Sequence, residues 1–278
     1  MKLFRHGNPG EERAGAIDAK GGKRDISVLV PDITPEWLSP AKLAAIAAID
    51  LTKFPVVADG ARIGAPVGGS RQFIAIGLNY RKHAEEAGMT IPKDPVVFTK
   101  AITCIQGPND DLRWPEGSEK MDWEVELGVV IGAKAQRISR ESALAHVAGY
   151  CLANDVSERE WQINRSGQWV KGKSFDTFGP LGPWLVTADE ILDPQAIPLT
   201  LAVNGAVRQK SNTNDMIFPV AEILSHLSQF MTLLPGDIVI TGTPEGVGLG
   251  MKPPQFLKRG DSIELDGGIL GYQRQRVI

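Results

Sequence analysis

Residues 121–132 read MDWEVELGVVIG, and two glutamates stand in the middle of what is otherwise a good β-strand. Val125, Leu127 and Val129 alternate with Glu124, Glu126 and Gly128. A period of two puts both carboxylates on one face, side by side. Like charges at that separation repel and raise each other's pKa, so the pair costs stability unless a cation or a solvated surface relieves it. A metal ion is one form of relief. A half-buried strand with a wet face is the other, and antiparallel sheets use it routinely.

The chain has 278 residues, enough for one large domain, or a main domain with an appendage, around a substantial core. Its formal net charge is −3, with acids and bases intermixed, which offers neither a basic field for nucleic acid nor a polybasic membrane anchor. A small molecule is therefore the expected partner. Cys104 and Cys151 are the two cysteines; no disulfide framework or CxxC knuckle is present, and a reducing cytoplasm fits. The opening MKLFRHGNPGEERAG lacks the apolar core of a signal peptide, and no later apolar run approaches membrane-spanning length. A soluble cytoplasmic protein is expected.

Residues 1–70 hold short strand-like pieces and an Ala-rich amphipathic helix around SPAKLAAIAAIDL, entered at Ser39-Pro40. ARIGAPVGGSRQ at 61–72 reads as a linker, so the expected division is a small domain over 1–70 and a catalytic domain over 71–278. Beyond it come short Val/Ile/Leu runs broken by Gly, Pro and Asp, with helical patterns near 140–147, 157–164 and 217–232. The main domain should be β-rich.

In GYCLANDVSEREWQ at 149–162, Asp155 and Glu158 have the spacing of a capping box, yet a carboxylate at a strand's end can also converge with two on a neighbouring strand. Three carboxylates without His or Cys form a hard-oxygen set suited to Mg²⁺, Mn²⁺ or Ca²⁺ rather than zinc. In IGLNYRKHAEEAG, His83 and Glu86 are three apart, so a helical turn would let the carboxylate orient the imidazole as a general base; a solvated polar turn is the plainer reading. Lys171 and Lys173 lie among aromatics and glycines in GQWVKGKSFDTFGPLGPW, where an ammonium either stabilises an oxyanion or snorkels to solvent. TGTPEGVGLG at 241–250 lacks the ending of a phosphate loop, but its amides with Thr241 or Thr243 can hold a small anion, or simply make a tight turn.

From about Phe73 onward, IGLNY with His83 and Glu86, PVVFTK, GPND, WEVELGVVIG, GYCLANDVSERE, KGKSFDTFGPLGPW, NGAVRQ and TGTPEGVG follow in one order. This series resembles the fumarylacetoacetate hydrolase family. The resemblance implies an α+β, mostly β fold: a mixed β-roll catalytic domain with a small N-terminal α+β appendage, commonly a homodimer. It implies Glu124, Glu126 and Asp155 as ligands of Mg²⁺, with Mn²⁺ as the alternative. It also implies His83, Glu86, Lys173 and Gln162 as catalytic residues, and Lys100, Thr241, Gly242 and Thr243 as substrate-binding ones. Within the family, GSEKMDWEVELGVVIG and GTPEGVGLGMKPPQFLK are most similar to members acting on 2,4-diketo-3-deoxy-L-rhamnonate or L-fuconate. The implied reaction is hydrolysis of a carbon–carbon bond to pyruvate and L-lactate in sugar acid catabolism. Acylpyruvate hydrolysis, oxo-acid decarboxylation or isomerisation, and ureidoglycolate cleavage are the implied alternatives.

Overall fold

In the computed structural model, which describes all 278 residues, the strand announced by the alternation runs from Val125 to Ile131, and every residue in it is buried. Glu124 and Glu126 are only 6% and 1% exposed, so the wet-face reading fails. The strand is enclosed by antiparallel neighbours, Val147–Asn154 on one side and Ile238–Ile240 on the other. Ile238–Ile240 then pairs in parallel with Phe73–Gly77, and Phe73–Gly77 pairs antiparallel with Val96–Lys100. The result is a mixed ten-stranded sheet. Its central strands are covered on both faces, which is why they read as unbroken apolar runs rather than clean alternations.

A four-stranded antiparallel sheet, in the order Ala206–Asn212, Pro198–Val203, Ser262–Asp266 and Tyr272–Arg276, packs against it. Leu199, Leu201, Ile263 and Leu265 share one core with Leu127, Val129 and Leu152. The helix Val220–Phe230 buries Val220, Ile223, Leu224 and Leu227, the spacing of one apolar helical face. The fold is α+β and mostly strand, as expected.

The first 70 residues continue this sheet. Lys2–His6 pairs antiparallel with Leu185–Thr187, which itself borders Val147–Asn154. Arg13–Ile17 and Lys23–Asp25 extend the edge. The Ala-rich helix spans Pro40–Ala47, and the Ser39 hydroxyl accepts from the Lys42 amide at 3.4 Å as its N-cap.

Two helical expectations are corrected. Residues 140–147 give only a short 3₁₀ turn, Ala143–His146. Over 157–164, Ser157–Glu158 pairs as a short strand with Met121–Asp122, and a π-helical turn follows over Glu160–Asn164. Glu158 drives the change, because its carboxylate accepts the amides of Lys120 and Trp161 and so clamps the chain outside ordinary helical register. No helix is long and apolar enough to cross a membrane.

Candidate active site

Two adjacent strands bring the acids together. Glu126 pairs with Ala153 across the ladder, so the end of Val147–Asn154 delivers Asp155 beside the start of Val125–Ile131. Ligand oxygens of Glu124, Glu126 and Asp155 lie within 4.8 Å of one another, all three residues buried. Asp155 caps no helix: Lys100 Nζ lies 2.5 Å from its Oδ1 and Lys173 Nζ 2.6 Å from its Oδ2. Lys173 also donates to Glu124 Oε2 at 2.8 Å. Gly172 permits this approach, since a Cβ there would sit 2.3 Å from the Glu158 carbonyl oxygen.

The electrostatics single out Glu126. Burial pushes the Glu124 carboxyl up, but the Lys173 ammonium and the Arg159 guanidinium outweigh it and hold the group down at about 2. Lys173 in turn is raised: burial lowers it, and Asp155 with Glu124 more than compensates. Glu126 has no lysine or arginine in salt-bridge range; only the Gly242 amide donates to it, at 2.7 Å. Burial, reinforced by the charges of Asp155 and Glu124, raises its pKa well above the usual carboxylate value. Asp122, Glu124, Glu126 and Asp155 face only Lys100, Arg159 and Lys173, so the enclosure is one positive charge short when every group is ionised. A hard divalent cation among three carboxylate oxygens fits that deficit.

Above the acids opens a cavity of about 520 Å³, lined by His83, Glu86, Glu124, Glu126, Arg159, Gln162, Lys173 and Thr243 among others. His83 and Glu86 sit on the short helix Arg81–Glu86, where three-residue spacing brings His83 Nδ1 to 3.2 Å from Glu86 Oε2. The Gly246 amide donates to both Glu86 oxygens, at 3.0 and 3.2 Å. With Nδ1 engaged, Nε2 is the ring nitrogen left free for chemistry.

Other expected positions support the site from behind. Lys100 is 3% exposed, bonds Asp155 and the Val156 carbonyl, and does not line the cavity. The Thr241 hydroxyl is spent on the Leu127 carbonyl at 3.0 Å, and the Gly242 amide on Glu126. Only Thr243 of that trio reaches the cavity wall. Lys171 points away, donating to the Arg165 carbonyl.

Sequence reasoning missed Arg159. Its Nε donates to Asp122 Oδ2 at 2.8 Å and its Nη1 to Gln162 Oε1 at 2.9 Å. Nη2 stands 2.7 Å from Glu124 Oε1 as an ion pair without an aligned hydrogen bond. By taking the Gln162 oxygen, Arg159 leaves the amide nitrogen of Gln162 free to donate into the cavity.

Comparison with known proteins places this arrangement among others. The model of the fumarylacetoacetate hydrolase C-terminal domain matches residues 72–278. A Burkholderia cenocepacia protein provisionally named a hydrolase is 56% identical over 276 residues, 99% of this chain and 98% of the relative. A fumarylacetoacetate hydrolase from Exiguobacterium antarcticum superposes with a TM-score of 0.86 at 35% identity, covering 100% of this chain and 99% of its own. A 2-hydroxyhepta-2,4-diene-1,7-dioate isomerase from Mycobacterium marinum does so at 0.75 and 30%, covering 100% and 98%. With the buried acidic triad, the His83–Glu86 pair and a match over the whole catalytic region, the chain belongs to the fumarylacetoacetate hydrolase family of enzymes.

Proposed function

We propose that the enzyme hydrolyses the C3–C4 bond of a 2,4-diketo acid, with Mg²⁺ or Mn²⁺ held by Glu124, Glu126 and Asp155. The charge deficit around Glu126 carries this reading. A dication turns a deficit of one positive charge into an excess of one, which matches a monoanionic oxo acid. When bound, the metal supplies Lewis acidity at the carboxylate and 2-oxo end of the substrate.

The chain's own residues account for the rest. His83, held through Nδ1 by Glu86, takes a proton at Nε2 from the water that attacks the C4 carbonyl. Gln162 and Lys173, both at the cavity wall, donate to the oxyanion that develops there. Collapse breaks the C3–C4 bond, C3 regains a proton, and pyruvate leaves with the carboxylic acid derived from the acyl half.

Sequence similarity makes 2,4-diketo-3-deoxy-L-rhamnonate, or its L-fuconate equivalent, the first substrate to test, releasing pyruvate and L-lactate. The cavity favours a second reading within the same chemistry. Met89, Phe98, Ile163, Trp169, Leu249 and Met251 make the remaining wall largely apolar, which suits acylpyruvates with a larger apolar acyl group. Incubation with Mg²⁺ and a panel of 2,4-diketo-3-deoxy acids, acylpyruvates, oxaloacetate and ureidoglycolate, with mass detection, tests both readings. Pyruvate released with a matching acid supports hydrolysis; decarboxylation or isomerisation without an added water refutes it. A homodimer is included in the proposal and is checked by light scattering.

A further inference from the structure

Asp122 is fully buried, is not among the three clustered acids, and does not line the cavity. It is nonetheless heavily bonded, accepting four hydrogen bonds, one of them from the Trp123 amide. Its Oδ1 accepts the Gly248 amide at 2.7 Å, and its Oδ2 accepts the Leu249 amide at 3.0 Å and Arg159 Nε at 2.8 Å. Two opposite walls of the site therefore end on one side chain. On one wall, Arg159 fixes the Gln162 amide and touches Glu124. On the other, the turn that Asp122 holds at Gly248 and Leu249 presents the Gly246 amide to Glu86, and the neighbouring Trp123 Nε1 donates to the Gly246 carbonyl at 3.0 Å.

We infer that Asp122 is a positioning residue that sets the oxyanion-donor wall, through Arg159 and Gln162, in register with the base wall, through the 246–249 turn and Glu86. Neither wall touches the other directly through hydrogen bonds. An asparagine at this position keeps the volume, yet its amide nitrogen must face either the guanidinium or a backbone N–H, so at least one arm is released. The kinetic half of the inference rests on the hydrolase reading; the structural half does not.

The test compares Asp122→Asn with the parent in three measurements. Hydrolysis should fall about 100-fold in kcat, the cost of a misplaced oxyanion donor. Mn²⁺ and oxalate affinities by calorimetry should stay within about threefold, because the strand pairing that places Glu124, Glu126 and Asp155 and the Lys173 contact to Glu124 do not pass through Asp122. Amide exchange should rise about tenfold or more in 81–88 and 246–250 while 147–154 keeps its protection, marking local opening. A uniform rise that includes 147–154, or oxalate affinity falling in step with kcat, overturns the assignment and makes Asp122 a fold residue. A parent that hydrolyses no diketo acid sinks the functional reading alone, since the exchange pattern still decides whether Asp122 links the walls. Should Asp122→Asn not accumulate folded, two variants loosen one wall each, Arg159→Lys the donor wall and Trp123→Phe the turn that Asp122 holds. Arg159→Lys should lower kcat with exchange in 81–88 unchanged, and Trp123→Phe should raise that exchange with oxalate affinity kept; loss of oxalate binding in both overturns the inference.

Discussion

Glu126 faces no side-chain cation in salt-bridge range, and its response to pH follows. Its carboxyl binds a proton more tightly folded than unfolded, because burial, Asp155 and Glu124 all push it up from 4.5. The stability it contributes is therefore full below that ordinary value and is lost as pH rises through the raised folded value. In chelator, the urea midpoint should fall over this window, and Glu126→Gln should flatten the slope while weakening Mn²⁺ binding at least about tenfold through loss of an anionic donor. An unchanged slope in the variant would mean that Glu126 is ionised without the metal. Glu124 behaves oppositely: held at about 2, it adds stability above its ordinary value that is lost only in strong acid. At the distal carbonyl, His83→Ala should keep Mn²⁺ and oxalate affinity but lose roughly 10²–10⁴ in kcat, the worth of a general base; calorimetry beside single-turnover rates separates the two. Alternation exposed Glu124 and Glu126 in the sequence, and the same period extends back to Asp122, a signal that was there to be read. Arg159 was not legible, since SERE looks like a charged helix surface until Glu158 is seen to clamp the backbone.

The turn 241–250 does for the site what a rigid bracket does for a hinge. Its amides and carbonyls are committed in both directions, to Glu126 and Glu86 on the cavity side and to Asp122 and Trp123 behind. Gly246 has φ +97°, and a Cβ there would fall 1.9 Å from the Arg208 carbonyl oxygen. Gly246→Ala should cost at least about 1 kcal/mol of stability from backbone strain and should lower kcat more than inhibitor affinity, because Glu86 loses its anchor. Thermal melts with oxalate titration check it, and a variant with parental kcat would show that Glu86 needs no such support. Glycine content marked this segment as a turn, but which amides it presents depends on strands more than 100 residues away in sequence, such as Val125–Ile131, and no local pattern encodes that. The helix Val220–Phe230 was legible because its apolar spacing is local; the π-helical turn was not, because tertiary clamping overrides helical register.

At the scale of the whole molecule, the stretch ARIGAPVGGSRQ lies between two apolar clusters, one centred on the first 70 residues and one beyond them, but the first cluster also reaches across it. Leu3, Ala14, Ala16 and Leu38 from the first 70 residues bury against Val130, Ala148 and Leu185 in a single cluster. A fragment of residues 71–278 should therefore expose those apolar side chains together with the unpaired edge of Leu185–Thr187, and should be insoluble or melt well below the full chain. Circular dichroism and sedimentation of the fragment decide this; a monodisperse fragment with a parental melting point would show that the cluster contributes little. Composition shifts reveal where a chain changes character, but not whether its halves share a sheet, because that pairing joins Lys2 to Val186 across most of the sequence. The same pairing has a consequence for the order of assembly during synthesis. The strand Lys2–His6 leaves the ribosome well before its partner Leu185–Thr187, which lies about 180 residues further along the chain. Until then, at typical elongation rates of about 5–20 residues per second, Leu3, Phe4, Ala14 and Ala16 wait for many seconds without the strand that completes their burial.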